Sequence, residues 1–176
     1  MPLDTLKNIA YLVAVTAIPG LELRASVPFG IFGRSIREAL GGWGGVAACC
    51  FVANIVIGEL VFWVMGPVVS LMRRWEWFDR RIWPFFARTQ EKLRPYVDKY
   101  GEMGVAVFIG VPLPGTGVYT GAFGAYLLGL DRRKFMVANI AGVAMACAAV
   151  TAICLLIDNG VVGPDSWLRR LFLKNS

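Results

Sequence analysis

The sequence predicts an all-α integral membrane protein of two inverted repeats, each a re-entrant, proline-broken hairpin followed by a transmembrane helix, with amphipathic helices added at the interface. Three observations lead there. Of 176 residues, 57% are apolar and mean hydropathy is +0.60, more apolar than ordinary soluble domains. Two tracts, Trp43 to Gly66 and Phe135 to Ile157, are long enough to cross about 30 Å of hydrocarbon at about 1.5 Å per residue. Two more, Ile9 to Phe32 and Met103 to Leu130, are apolar but interrupted by Pro and Gly. Backbone opened inside a bilayer finds no partner in hydrocarbon, so such tracts must be buried in protein or line a water-filled path.

In chain order, Asp4 is placed to cap a helix running to Ile18, which Pro19-Gly20 ends. The first 18 residues loosely resemble a signal peptide, but Lys7 is their only basic residue and Asp4 precedes it, so they are expected to be retained. Glu22 to Gly30 then sets two charges and Pro28 in apolar sequence, and Arg34, Arg37 and Glu38 mark a surface connection before the first clear span. From Arg73 to Glu102 eight basic and five acidic residues alternate with aromatics. Trp75, Phe78, Ile82 and Phe85 keep helical spacing, as do Phe86, Leu93, Tyr96, Val97 and Tyr100 beyond a break at Pro84. These read as helices lying flat among headgroups. A last surface helix is expected over 164–174, capped by Asp165 or Ser166, with Trp167, Leu168, Leu171 and Phe172 opposite Arg169, Arg170 and Lys174.

The chain also repeats itself. Val27-Pro28 is followed 25 residues on by Val52-Ala53-Asn54-Ile55, and Val111-Pro112 26 residues on by Val137-Ala138-Asn139-Ile140. The expected organisation is one membrane domain, 1–176, with repeat 1 at 4–72, the interfacial segment at 73–102 and repeat 2 at 103–157. If each broken tract returns to its own side, each repeat crosses once and the second is inverted. Both termini then lie outside. Arg73 to Glu102 and Arg132-Arg133-Lys134, with eleven basic residues, lie in the cytoplasm by the positive-inside rule.

Composition excludes several chemistries. With no His, His catalysis, His metal ligation and a His proton switch are absent. Cys49, Cys50, Cys147 and Cys154 lie within the spans without metal-site spacing and read as small packing residues. The net charge of +6 falls in connections and tail, pointing to anionic headgroups rather than nucleic acid. No enzyme activity, cofactor or metal is expected.

Glu22 and Arg24 are the sharpest functional candidates, because ionisable residues at membrane depth are costly and mark ion or substrate paths. The alternative is a solvated pair, or an Arg reaching lipid phosphate, if Pro19-Gly20 leaves them at the interface. A buried Glu can exchange protons and Arg can hold an anion. Gly115-Thr116-Gly117, after Pro112 and Pro114, could open a half-helix whose N–H groups attract an anion, with hydroxyls from Thr116, Tyr119 and Thr120. Gly117, Gly121 and Gly124 equally form a helix-packing stripe. Asn54 and Asn139 suit bridging between helices better than substrate contact. Glu59, about 140° around the helix from Asn54, is either a second proton site or a group turned into the bundle.

Glu22-Leu23-Arg24-Ala25-Ser26-Val27-Pro28 and Pro112-Leu113-Pro114-Gly115-Thr116-Gly117-Val118-Tyr119-Thr120-Gly121 resemble the motifs of the small multidrug export protein family. That family is similar to a distant branch of the DedA superfamily, which includes the VTT-domain proteins. Ala25 stands where Gly is expected and Tyr119 where Trp is expected. The resemblance implies two re-entrant hairpins entering from opposite sides, each followed by a spanning helix, in a multi-pass protein of the cell membrane, here a prokaryotic plasma membrane. It further implies movement of a phospholipid or polyprenyl phosphate between leaflets with proton coupling, Glu22 being the coupling acid and Arg24 the anion-binding residue.

Three readings follow: a lipid-phosphate translocase, a proton-coupled exporter of small molecules or drugs, and a membrane scaffold that transports nothing. The expected partners are membrane lipids and an anionic-lipid or small-molecule substrate, with a homo-oligomer open and no nucleic acid.

Overall fold

In a computed structural model, residues 3–111 and 116–160 are described, the side chains of 3, 4, 78, 82 and 85–98 apart. Every regular element among them is helical: α1 (Leu3–Thr16), α2 (Glu22–Phe32), α3 (Arg34–Ala39), α4 (Trp43–Met72), a π-helical turn (Phe78–Ile82), α5 (Trp83–Gly110), α6 (Val118–Leu127) and α7 (Arg132–Asp158). Two of these, α4 and α7, are long and apolar enough to cross a membrane. Their composition explains it, since Glu59 is the one charged residue in α4 and the charges of α7 sit at its ends, Arg132 to Lys134 and Asp158. The outer face of α4 carries Val52, Val56, Leu60, Trp63, Val64, Val68 and Leu71 exposed, a continuous apolar strip of the kind that faces lipid or a partner.

The described residues form two compact units, one within Met1–Ala53 and Met145–Ser176, the other Asn54–Ala144. In the first, α1 ends where Thr16 Oγ1 donates back to the Leu12 carbonyl at 2.7 Å, and Pro19-Gly20 turn the chain into α2. Leu12, Leu23, Val27, Ile31, Val46 and Cys50 are fully buried and make its core. Gly30 lets α2 approach both Leu12 and Val46, either of which a Cβ there would meet. The Cys50 thiol lies beside the hydroxyls of Ser26 and Thr16, and the Cys147 thiol donates to the Ala47 carbonyl at 3.6 Å. Arg37 Nη1 and Asp158 Oδ2, 2.9 Å apart, tie α3 to the end of α7.

Pro28 does not break the first tract as the sequence pattern suggested. It lies inside α2, and the interruption falls at residues 17–21, where Pro19-Gly20 were expected to end the first helix. A proline within a helix withholds one donor, here from the carbonyl of Arg24, and one missing bond bends a helix more readily than it ends one when both faces are packed. Seven of the eleven residues of α2 are buried.

In the second unit the seam between α4 and α7 is antiparallel. Phe62 stacks on Phe135 with ring centroids 4.4 Å apart and meets Tyr126 of α6 edge-on at 6.0 Å. Helices α5 and α6 form an antiparallel pair: Gly121 lies against Ile109, and Gly142 of α7 lies against both Ile109 and the carbonyl of Ala106. Gly142 is ten residues into α7, about 15 Å along its axis. The end of α5 is therefore level with the interior of α7.

A second difference concerns α5. The interfacial segment was expected to end at Glu102 after a break at Pro84, yet α5 runs unbroken from Trp83 to Gly110. Pro84 is its second residue, where the missing donor has no helical acceptor to leave unpaired, and nothing at Glu102-Met103 interrupts it. Trp75, Trp77 and Tyr100 are exposed. The proposed surface helix at 164–174 lies outside the described residues.

The glycines separate into two kinds. A Cβ on Gly142 would stand 2.7 Å from the Ala106 carbonyl oxygen and one on Gly121 2.5 Å from Ile109, while Gly104 and Gly124 have nothing within 4 Å. Gly142→Ala and Gly121→Ala should each cost about 1–3 kcal/mol through overpacking, whereas Gly104→Ala and Gly124→Ala should be neutral or stabilising by up to about 1 kcal/mol. Thermal unfolding in detergent distinguishes them; equal effects at all four would contradict this packing.

Candidate functional site

Two helix starts and one helix seam collect the polar residues singled out by the sequence. Glu22 opens α2 directly after the Pro19-Gly20 turn, with its side chain only 4% exposed and its backbone in the left-handed region at φ 49°. That conformation costs a non-glycine residue about 1–2 kcal/mol and is held only where the surroundings impose it. Arg24, half-buried, follows on the first turn, and its guanidinium is attracted by the Glu22 carboxylate. Pro28 is buried one turn further on.

In the second unit α6 starts at Val118, with Gly117 as its N-terminal cap residue at φ 142°, ψ −171°, a conformation open essentially to glycine alone. No side chain caps this end. Thr116 Oγ1 donates to the Val111 carbonyl at 2.7 Å and so joins the two ends of the connection. Thr120 Oγ1 reaches the Gly117 carbonyl at 3.4 Å and is exposed, while Tyr119 is half-buried. Pro112, Pro114 and Gly115 lie outside the described residues. Of the glycine stripe, Gly121 serves close packing, but Gly124 faces open space.

That open space is an apolar groove of about 450 Å³ running along α5 and α6, walled by Gly104, Val105, Phe108, Gly121, Gly124 and Leu128, with Tyr100 and Thr120 also at its edge. A second, polar cavity of about 350 Å³ lies at the end of α4, among Ser70, Arg73, Arg74, Asp79, Trp83 and Tyr126. Arg73 is fixed there by Asp79 at 2.9 Å and by the Trp83 ring at 4.5 Å.

The α4–α7 seam holds the remaining candidates. Asn139 bridges the two helices as expected of it, its Nδ2 donating to the Ile55 carbonyl at 3.1 Å. It rests directly on Gly58, where a Cβ would come within 2.6 Å of the carboxamide. Asn54, one turn before Gly58, is buried on the same face of α4. Glu59 is turned inward and faces Arg132 of α7, Oε2 to Nε 3.7 Å. Arg132, Gly58, and the Lys134–Glu102 pair at 3.9 Å were not singled out by sequence reasoning. Arg132 carried a signal only as one of three adjacent basic residues, and Gly58 carried none. Among the described residues no three His, Cys, Asp or Glu side chains cluster as metal ligands would.

The geometry at the start of α6 makes opposite demands on neighbouring positions. Gly117→Ala should lower stability by about 1–3 kcal/mol because of its backbone angles. Thr116→Val, which loses one hydrogen bond, should cost about 1 kcal/mol. Chemical or thermal unfolding of both variants measures this, and a silent Gly117→Ala would refute the assigned conformation.

Comparison with known proteins identifies one family. The family described as "Putative small multi-drug export protein" matches residues 22–149, from the start of α2 well into α7. No curated protein and no solved structure matches the chain.

Proposed function

Since the chain belongs to the small multi-drug export family, we propose that it is a membrane transporter for an amphipathic anion, which holds its head group at the start of α6 and its apolar tail in the α5–α6 groove. The groove carries this reading. Its walls are apolar and glycine-rich, it is wide enough for an alkyl chain, and Thr120 at its edge lies within one turn of Gly117. Helix starts attract anions through their N–H groups, and an amphiphile is the substrate for which an apolar trough beside such a start is useful. A lipid phosphate, either a phospholipid or a polyprenyl phosphate moved between leaflets, has this chemistry, in keeping with the DedA-like resemblance.

In this reading α4 and α7 cross the bilayer, and the pairs α1–α2 and α5–α6 enter and return on their own sides. Support comes from the level of the end of α5 beside Gly142 and from the confinement of charge to the ends of α7. With α4 crossing once between the two pairs, the second repeat is inverted relative to the first, an arrangement that transporters use for alternating access. Glu22, buried beside Arg24, is the acid through which a proton gradient would act.

The second reading, export of small lipophilic molecules, is favoured by the family description, and the same groove would then take the drug. Reconstitution into liposomes with labelled phospholipid, polyprenyl phosphate and lipophilic drugs, with and without a pH gradient, separates the two readings. If no substrate moves in any condition, both fail and a scaffold remains.

Gly124→Leu tests the groove, because its side chain enters open space rather than a packed contact. Transport should fall about tenfold, the equivalent of roughly 1.4 kcal/mol of lost binding, at an unchanged melting temperature; undiminished transport would rule the groove out. Glu22→Gln keeps the shape of the side chain and removes the exchangeable charge. It should leave the fold intact and abolish the response to a pH gradient, and a wild-type response would remove Glu22 from the mechanism.

A further inference from the structure

The polar cavity at the end of α4 takes no part in the transport path proposed above, and among the described residues it shares no lining residue with the α5–α6 groove. Its charges do not balance. Arg73 and Arg74 stand against Asp79 alone, so the residues that wall it carry one excess positive charge. Arg73 is the member that the protein holds in place, its Nε donating to Asp79 Oδ1 at 2.9 Å and its guanidinium lying 4.5 Å from the centre of the Trp83 ring. The Arg74 side chain has no ion-pair or hydrogen-bond partner among the described residues.

The donors of this cavity outnumber its acceptors. With Nε given to Asp79, the terminal nitrogens of Arg73 are left to donate, and Arg74 adds a second planar fork. Ser70 and Tyr126 add hydroxyls. Gly66 leaves the Tyr126 hydroxyl uncovered on the α4 side, since the position of its missing Cβ is 3.8 Å from that oxygen. All these residues wall one space of about 350 Å³ within the second unit, the size of a small-ligand site. Two guanidinium forks and two hydroxyls around a positive cavity suit a phosphate, which Arg grips through paired N–H groups. A phosphodiester also brings the single negative charge that the cavity lacks.

What stands beside the cavity selects the molecule that carries the phosphate. Trp63, Pro67 and Ser70 succeed one another at four- and three-residue steps and so share a face of α4, and both Trp63 and Pro67 are exposed. That face belongs to a helix long and apolar enough to cross a membrane. Trp75 and Trp77, just past its end, are 72% and 64% exposed, as tryptophans at headgroup level are. We infer that the cavity binds the phosphate of an anionic phospholipid with an uncharged hydroxyl headgroup, of the phosphatidylglycerol kind, whose acyl chain lies along Pro67 and Trp63. A choline or ethanolamine headgroup would bring a cation to a place already positive. The nearby carboxylate that could have met it, Glu76, is paired with Arg80 at 3.6 Å. A glycerol headgroup instead offers hydroxyls to those of Ser70 and Tyr126.

The inference requires α4 to lie in a membrane but not that the chain transports anything, so binding alone tests it. The melting temperature of the full chain is measured in detergent micelles, without addition and with phosphatidylglycerol, phosphatidylcholine or free glycerol 3-phosphate at equal phosphate concentration. Phosphatidylglycerol should raise it by about 3 °C over phosphatidylcholine, as for a ligand present at several times its Kd, and glycerol 3-phosphate should leave it unchanged. Arg74→Gln removes an exposed side chain from the cavity wall; it should melt like the wild type in plain detergent and lose the rise. Arg74→Lys keeps the charge without the fork and should retain less than half of it. Arg81→Gln makes the same change of net charge at an exposed position outside the cavity, and Gly124→Leu alters only the groove; both should keep the rise in full. An equal rise with the two lipids, a rise with glycerol 3-phosphate matching that with phosphatidylglycerol, a rise that persists in Arg74→Gln, or its loss in Arg81→Gln or Gly124→Leu would each overturn the assignment.

Discussion

The second unit depends on one nested contact, the Asn139 carboxamide seated on Gly58 and donating to the Ile55 carbonyl. A helix of apolar residues has no preferred axial position against its neighbour when both are surrounded by lipid-like groups, because sliding exchanges one apolar contact for another. A single buried amide changes this. It finds its acceptor in one register only, and that carbonyl can accept it because a carbonyl oxygen has a second lone pair beyond its helical bond. Once Asn139 is seated, Phe135 falls opposite Phe62 one turn away and Arg132 opposite Glu59. Gly142 then presents its bare backbone to α5.

Steric economy is applied unevenly along this scaffold. Where α7 meets α5, and α5 meets α6, glycine brings backbones together with no space to spare, at Gly142 and Gly121. A turn away, Gly104 and Gly124 face open space and leave a trough. The same residue type thus produces both tight adhesion and an accessible surface within one pair of helices, and the difference lies in what stands opposite.

Much of this was legible in the sequence, though unevenly. The spans were readable because length and apolarity are sums over many residues, and Asn139 was readable as a bridge because a lone amide in a span has few other uses. Pro28 misled: a proline marks a lost donor, but whether the chain stops there depends on packing, and buried neighbours on both sides keep α2 continuous. The 102/103 boundary was drawn from a change in composition, which a helix can pass through without a change in backbone, as α5 does. The bond from Thr116 to the Val111 carbonyl had no local signal, because it depends on how the connection closes. The pairing of Glu59 with Arg132 and the role of Gly58 had no local signal, because both exist only once α4 and α7 are side by side.

The continuity of α5 has a mechanical consequence. With 28 residues it spans about 42 Å; its first residues follow the cation-rich turn near Arg73 and Trp83 and its last ones pack on Gly142 and Gly121. Near its midpoint Pro95 withholds one backbone donor from the carbonyl of Glu91, so the helix runs on but has its weakest point there. Bending is thereby concentrated at one position between the charged end and the packed end.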